Sequence, residues 1–116
     1  MGGPFELLPP DRLRWVLEKF EDAITELDTE RRIQERLAWA IYRVVAVVPE
    51  ELPAGLRLTF GAVKETVDKT RWRGGEPVMV ALRDAECEGL ARALVDLRDE
   101  LREAVAGTSD EPDKED

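Results

Sequence analysis

Apolar residues recur three or four positions apart through most of this chain, a spacing that builds helices. Leu13, Leu17, Phe20, Ile24 and Leu27 follow one another at 4-3-4-3. That winds them onto one face of a helix of about four to five turns. Pro9 and Pro10 ahead of Asp11 mark its start, because proline pre-sets the first turn and aspartate accepts the free N–H groups. Asp28 and Thr29 interrupt the stripe and offer a cap for a second helix. Its core face is Ile33, Leu37, Ala40, Ile41, Val44 and Val48, and Pro49 ends it. After the short turn PEELP, a third stripe runs Leu52, Leu56, Phe60, Val63, Val67. Gly55 and Gly61 weaken that helix by about 1 kcal/mol each relative to alanine, so it is expected to be the least stable.

Pro77 restarts the chain, and 78–106 is helical in character, with Leu90, Leu94, Leu97, Leu101 and Ala104 again at 4-3-4-3. Arg83 and Glu86 fall on the backward extension of this stripe, which predicts a break or kink near Glu86–Gly89. Gly107 is the expected stop. No internal repeat and no strand alternation is read; Val44–Val48 resembles a strand, but the helical spacing from Ile33 runs through it. The expected fold is all-α: an antiparallel four-helix bundle, or a three-helix core with a docked, kinked fourth helix. It divides into an N-terminal arm at 1–10, a single domain at 11–107 and a disordered acidic tail at 108–116.

Charge narrows the partners. The formal net charge is −9, and the stretch 110–116, DEPDKED, contributes −4 of it through five acids and one lysine. Such a balance opposes generic binding to nucleic-acid phosphates and to anionic membranes. It leaves open a basic partner, or mimicry of nucleic-acid charge. No apolar run approaches the ~20 residues of a membrane span. The start MGGPFELLPP has neither a basic leader nor an apolar segment of signal type, and Glu6 stands where myristoylation favours serine or threonine. A single cysteine, Cys87, forms no internal disulfide, which fits a reducing compartment. The expected location is cytoplasmic. Arginine outnumbers lysine 13 to 4, a codon bias that points to a GC-rich, bacterial genome.

There is no histidine. Ser-His-Asp triads, Cys-His dyads and histidine-containing zinc, haem or di-iron sites are therefore excluded. Neither GxxxxGK[ST] nor GxGxxG occurs. The remaining candidates for acid–base or Mg²⁺ chemistry are acids on the first helix (Glu18, Glu21, Asp22, Glu26) and on the last (Asp96, Asp99, Glu100, Glu103). These are read as solvated faces paired with nearby cations. The chain is expected to be no enzyme and to need no cofactor or metal. Glu86 and Glu88 beside Cys87 would raise its thiol pKa and oppose a redox role.

The aromatic residues nominate two surfaces. In AWAIYRVVAVV, Trp39 and Tyr42 lie off the main stripe of a segment apolar nearly all round. That helix is central, or it forms a partner or homodimer interface. Trp15 points about 160° from the Leu13 stripe, and is either a partner contact or covered by PFELL. The second surface is KTRWRGGEP at 69–77. It reads as a helix end, with Lys69, Arg71 and Arg73 offsetting the dipole and Gly74 capping. It reads alternatively as an anion or nucleic-acid loop, with Arg71 and Arg73 for phosphate and Trp72 for base stacking.

The stretch VVPEELPAGLRLTFGAVKETVDKT, with the later LVDLRDEL, resembles small all-helical bacterial proteins of uncharacterised function. The resemblance is carried by Leu52, Pro53, Leu56, Arg57 and Phe60, then Asp99, Glu100 and Leu101. It implies a helical bacterial protein and transfers no activity. The functional expectation is a protein–protein interaction module, that is, a small adaptor, regulator or accessory subunit whose partner is an unidentified protein. The alternatives are an acidic decoy of a basic nucleic-acid-binding protein and weak nucleic-acid binding through 69–77.

Overall fold

The computed structural model describes residues 10–114, with side chains described for 11–107. Among the described residues the chain forms four α-helices and one two-stranded antiparallel hairpin. The helices are α1 (Pro10–Leu27), α2 (Ile33–Val44), α3 (Arg57–Glu65) and α4 (Asp84–Lys114). The hairpin pairs β1 (Thr70–Arg73) with β2 (Glu76–Met79). The fold is mostly helical, and the hairpin makes it not purely all-α. No helix among the described residues is long and apolar enough to cross a membrane.

Helix α1 packs against α2 and α4, α3 against α4, and the hairpin against α2. The core draws on every helix: Val16 and Phe20, Leu37 and Ile41, Phe60 and Val63, Leu94, Leu97 and Leu101 are all buried. Phe20 and Phe60 meet with ring centroids 5.2 Å apart and planes tilted by 59°. The buried face of α1 is turned slightly from the expected stripe, because Val16 and Ala23 are sealed while Leu17, Ile24 and Leu27 are half-buried. Ion pairs lock α1 to α4 at the edge of this core: Arg98 reaches Glu21 at 3.2 Å and Arg102 reaches it at 2.8 Å. Burial alone would raise the Glu21 carboxyl pKa, yet hydrogen bonds from Arg102 and Arg98, helped by their charges, hold it below its ordinary value.

The expected boundaries change in four places. Helix α2 stops at Val44 rather than at Pro49. Proline disfavours helical backbone in the residue before it, and the Lys64 ammonium donates to the carbonyls of Val45 (3.1 Å) and Val47 (2.8 Å), holding the chain in the turn. Val47 is consequently buried, and Val48, expected in the core, is exposed. The third helix is a short α3 flanked by 3₁₀ turns at Ala54–Leu56 and Thr66–Lys69.

Helix α4 has no break near Glu86–Gly89. It begins there instead, and the Glu86 carboxylate accepts the Arg83 N–H at 2.8 Å, reaching back from the first turn to the cap residue. The polar residues that interrupted the stripe are its capping residues. The helix also continues through Gly107, since a glycine weakens a helix without obliging it to end. The N-terminal arm expected at 1–10, apart from Pro10, lies outside the described residues, as do Glu115 and Asp116 of the tail.

The fourth change is the largest. Residues 69–77 are not the end of the third helix, and Pro77 does not restart a helix. Gly74 and Gly75 have φ of +60° and +82°, and this pair of left-handed residues makes the tight turn that matches the twist of two antiparallel strands. Arg73 pairs with Glu76, Trp72 with Pro77, Arg71 with Val78 and Thr70 with Met79. Thr70, Trp72, Pro77 and Met79 therefore share one face, and Arg71, Arg73, Glu76 and Val78 the other. Pro77 and Met79 are buried against α2, while both arginines are exposed.

Candidate functional site

The two nominated surfaces are one. Docking the hairpin on α2 carries Trp72 to the aromatic residues of that helix, more than 25 positions away in the sequence. Trp39 and Tyr42 lie 5.9 Å apart, Trp39 and Trp72 5.9 Å, and Tyr42 and Trp72 5.6 Å between ring centroids. All three pairs are edge-to-face, with interplanar angles of 81–88°. The geometry suits the ring quadrupole, which places a positive edge on a negative face. Trp39 is half-buried, whereas 48% of Tyr42 and 53% of Trp72 remain exposed.

Beside the rings lies an apolar groove of about 240 Å³, walled by Ile41 and Tyr42 on α2 with Val45 just past its end, and by Val67, Trp72 and Pro77 on the other side. Val45, at 39% exposure, extends its rim. The groove is smaller than the roughly 300–1,000 Å³ of small-molecule pockets and suits an inserted side chain better than a metabolite.

Around Trp39 the charges are tied up locally. The Arg43 guanidinium donates to Glu26 at 2.6 and 2.9 Å, and Arg31, 3.7 Å from Glu26, stands over the Trp39 ring at 5.5 Å. This cation on an aromatic face contributes about 0.5–1 kcal/mol. The Trp39 indole N–H is buried without a hydrogen-bond acceptor among the described residues.

The hairpin arginines are placed differently. Arg71 donates to the carbonyls of Asp68 (2.8 Å) and Thr70 (2.9 Å), so its guanidinium is oriented by backbone and carries no carboxylate partner among the described residues. Arg73 makes no ion pair or side-chain hydrogen bond among them. It lines a second depression of about 270 Å³ with Arg32, Glu35 and Glu76, and this depression meets the apolar groove at Pro77.

Trp15 stands apart from the cluster. It is half-buried on α1, with Arg12 at 4.0 Å and Lys19 at 5.5 Å from its ring centroid. The segment PFELL, expected to cover it, lies outside the described residues. Cys87 is fully buried, and burial first, then the charges of Asp84, Glu86 and Glu88, push its thiol pKa upward. No group of acids and cysteine among the described residues is arranged to hold a metal ion.

No family model, curated protein or solved structure matches the chain. The functional reading therefore rests on this geometry alone. What residue-level reasoning missed was the hairpin, and with it the groove residues Val45, Val67 and Pro77. A signal was present: Gly-Gly between TRWR and EPVM is the strand–turn–strand pattern of a two-residue hairpin.

Proposed function

We propose that this chain is a non-enzymatic protein-interaction module, a small cytoplasmic adaptor, regulator or accessory subunit, that engages its partner through the α2–hairpin face. In this reading the helices form an antiparallel bundle, and the hairpin is clamped onto α2 to complete the contact surface. One observation carries it. Residues from two remote segments converge on a patch of three aromatic rings that is left half open beside an apolar groove. Interfaces concentrate their energy in such Trp and Tyr anchors.

The test is site-specific photo-crosslinking in cells, with the photoreactive residue at Val45 and a control at exposed Glu103. A discrete adduct at position 45 is expected, absent at 103, and reduced about tenfold or more when Trp72→Ala is added, since hot-spot residues are worth 2 kcal/mol or more. Equal labelling at both positions, or an adduct indifferent to Trp72→Ala in a folded protein, defeats the reading.

A further inference from the structure

Apolar surface continues from the groove past the end of α2. Tyr42, Val45 and Val48 follow one another three residues apart, and all three are exposed. Three residues of chain span at most ~11 Å, so Val48 stands close to the groove mouth at Val45. Val48 is also fastened to the first turn of α1. The Glu51 carboxylate accepts the Val48 N–H at 3.0 Å with one oxygen and holds the Arg12 guanidinium with the other. Arg12 lies two residues beyond Pro10, where α1 begins. The chain that precedes Pro10 therefore enters the helix within about one arginine side chain of Val48.

That chain carries what an apolar strip can take up. Residues 4–8 read PFELL, three bulky apolar side chains and one acid, whereas TSDEPDKED at 108–116 has no bulky apolar residue. Pro4, Pro9 and Pro10 favour the polyproline conformation, with three residues per turn and about 3.1 Å per residue. On such a path Phe5 and Leu8 come to one side about 9 Å apart, a spacing that fits Val45 and Val48, with Glu6 turned to the flank. The cation for Glu6 is in place. The Lys64 ammonium donates to the Val45 and Val47 carbonyls at 3.1 and 2.8 Å and has no carboxylate partner among the described residues. Glu6 is the one charged side chain in residues 1–9.

We infer that residues 4–8 of this chain cover the α2–hairpin groove, with Leu8 over Val48, Phe5 at Val45 beside Trp72, and Glu6 against Lys64. A tether of a few residues holds the segment at an effective concentration in the millimolar range, so contacts too weak to retain a separate peptide are enough. Trp15 is the rival seat, but its ring already has the Arg12 guanidinium 4.0 Å and the Lys19 ammonium 5.5 Å from its centroid. This goes beyond the interaction reading: a partner that uses the face must displace the segment.

The test needs no partner. A photoreactive residue replaces Val45 in the purified full chain, and the products of irradiation are mapped by mass spectrometry. An intramolecular link to residues 4–8 is expected, and Phe5→Ser should reduce it about fivefold or more, as suits an aromatic side chain that is partly buried. Glu6→Lys, which sets two cations against each other, should lower it about two- to threefold. In the chain with Val45 intact, Phe5→Ser should shift the Trp72 indole N–H signal in the NMR spectrum and leave that of Trp15 in place.

The absence of a link to residues 4–8, or a link indifferent to Phe5→Ser, overturns the inference. So does an indole shift at Trp15 alone, which would seat the segment on α1. Links formed only between isotopically labelled and unlabelled copies would give the groove to a second molecule. An unchanged yield with Glu6→Lys would overturn the Lys64 contact. Since the purified chain is alone, none of these results bears on the adduct sought in cells, and the two readings fail separately.

Discussion

Two aromatic groups are built from different elements, Phe20 and Phe60 from α1 and α3, Trp39, Tyr42 and Trp72 from α2 and β1, and they serve opposite ends. Phe20 and Phe60 are sealed from solvent and join α1 to α3. Trp39, Tyr42 and Trp72 touch one another at similar distances, yet the last two keep about half their surface in water. The Phe pair satisfies its rings entirely within the fold and has no polar atom to place. The second group carries two indole N–H groups and a phenol, and α2 alone cannot cover it. Folding thus completes one cluster and assembles the other without closing it, which is why the second is the functional candidate.

Substitutions can break this contrast. Phe60→Ala should cost about 3–5 kcal/mol in chemical denaturation, the usual loss for a sealed aromatic. A loss as small as that of an exposed residue would mean that the core is not where it is placed here. Trp72→Ala should cost only about 1–2 kcal/mol, because it gives up two edge-to-face contacts and a half-exposed ring, while reducing the crosslink at position 45 about tenfold or more. If it unfolds the protein as Phe60→Ala does, the aromatic cluster is core and the distinction fails.

Gly75→Ala places a side chain at φ +82° and should cost about 1 kcal/mol or slightly more. Amide exchange should then accelerate in 70–79 and leave α1 and α4 unchanged. Spread of that loss into the helices would show that hairpin and core are one cooperative unit. The smallest effect concerns Glu21. Its pKa is depressed in the fold, so its ion pairs stabilise above the ordinary carboxylate range, and that contribution fades as the pH falls through the lowered value. Glu21→Gln should flatten this acid limb by less than about 1 kcal/mol, as partly exposed pairs contribute little, and should leave the spectra of Trp39 and Trp72 unaltered.

Much of the helical frame was legible. The stripes of Ile33, Leu37, Ile41 and Val44, and of Leu94, Leu97 and Leu101, predict core positions that are buried in the fold. Trp39 and Tyr42 stand out by type and by phase, and Trp72 by type alone, but as members of two separate surfaces. The misreading of 69–77 has a definite cause. Cations followed by Gly suit a helix C-terminus and equally suit a strand entering a two-residue turn, and Trp72 has no helical phase to arbitrate.

The amino-acid order alone determined that the chain builds four helices, though not where each begins and ends, because a period of three to four residues is a local property that each segment expresses by itself. It also excluded histidine chemistry outright. Only the tertiary structure decided that KTRWRGGEP is most of a hairpin rather than a helix end, and that its tryptophan meets α2. Strand pairing gains its hydrogen bonds from residues across the turn, and its burial from a helix some thirty positions earlier. The groove exists nowhere along the chain until those two elements dock.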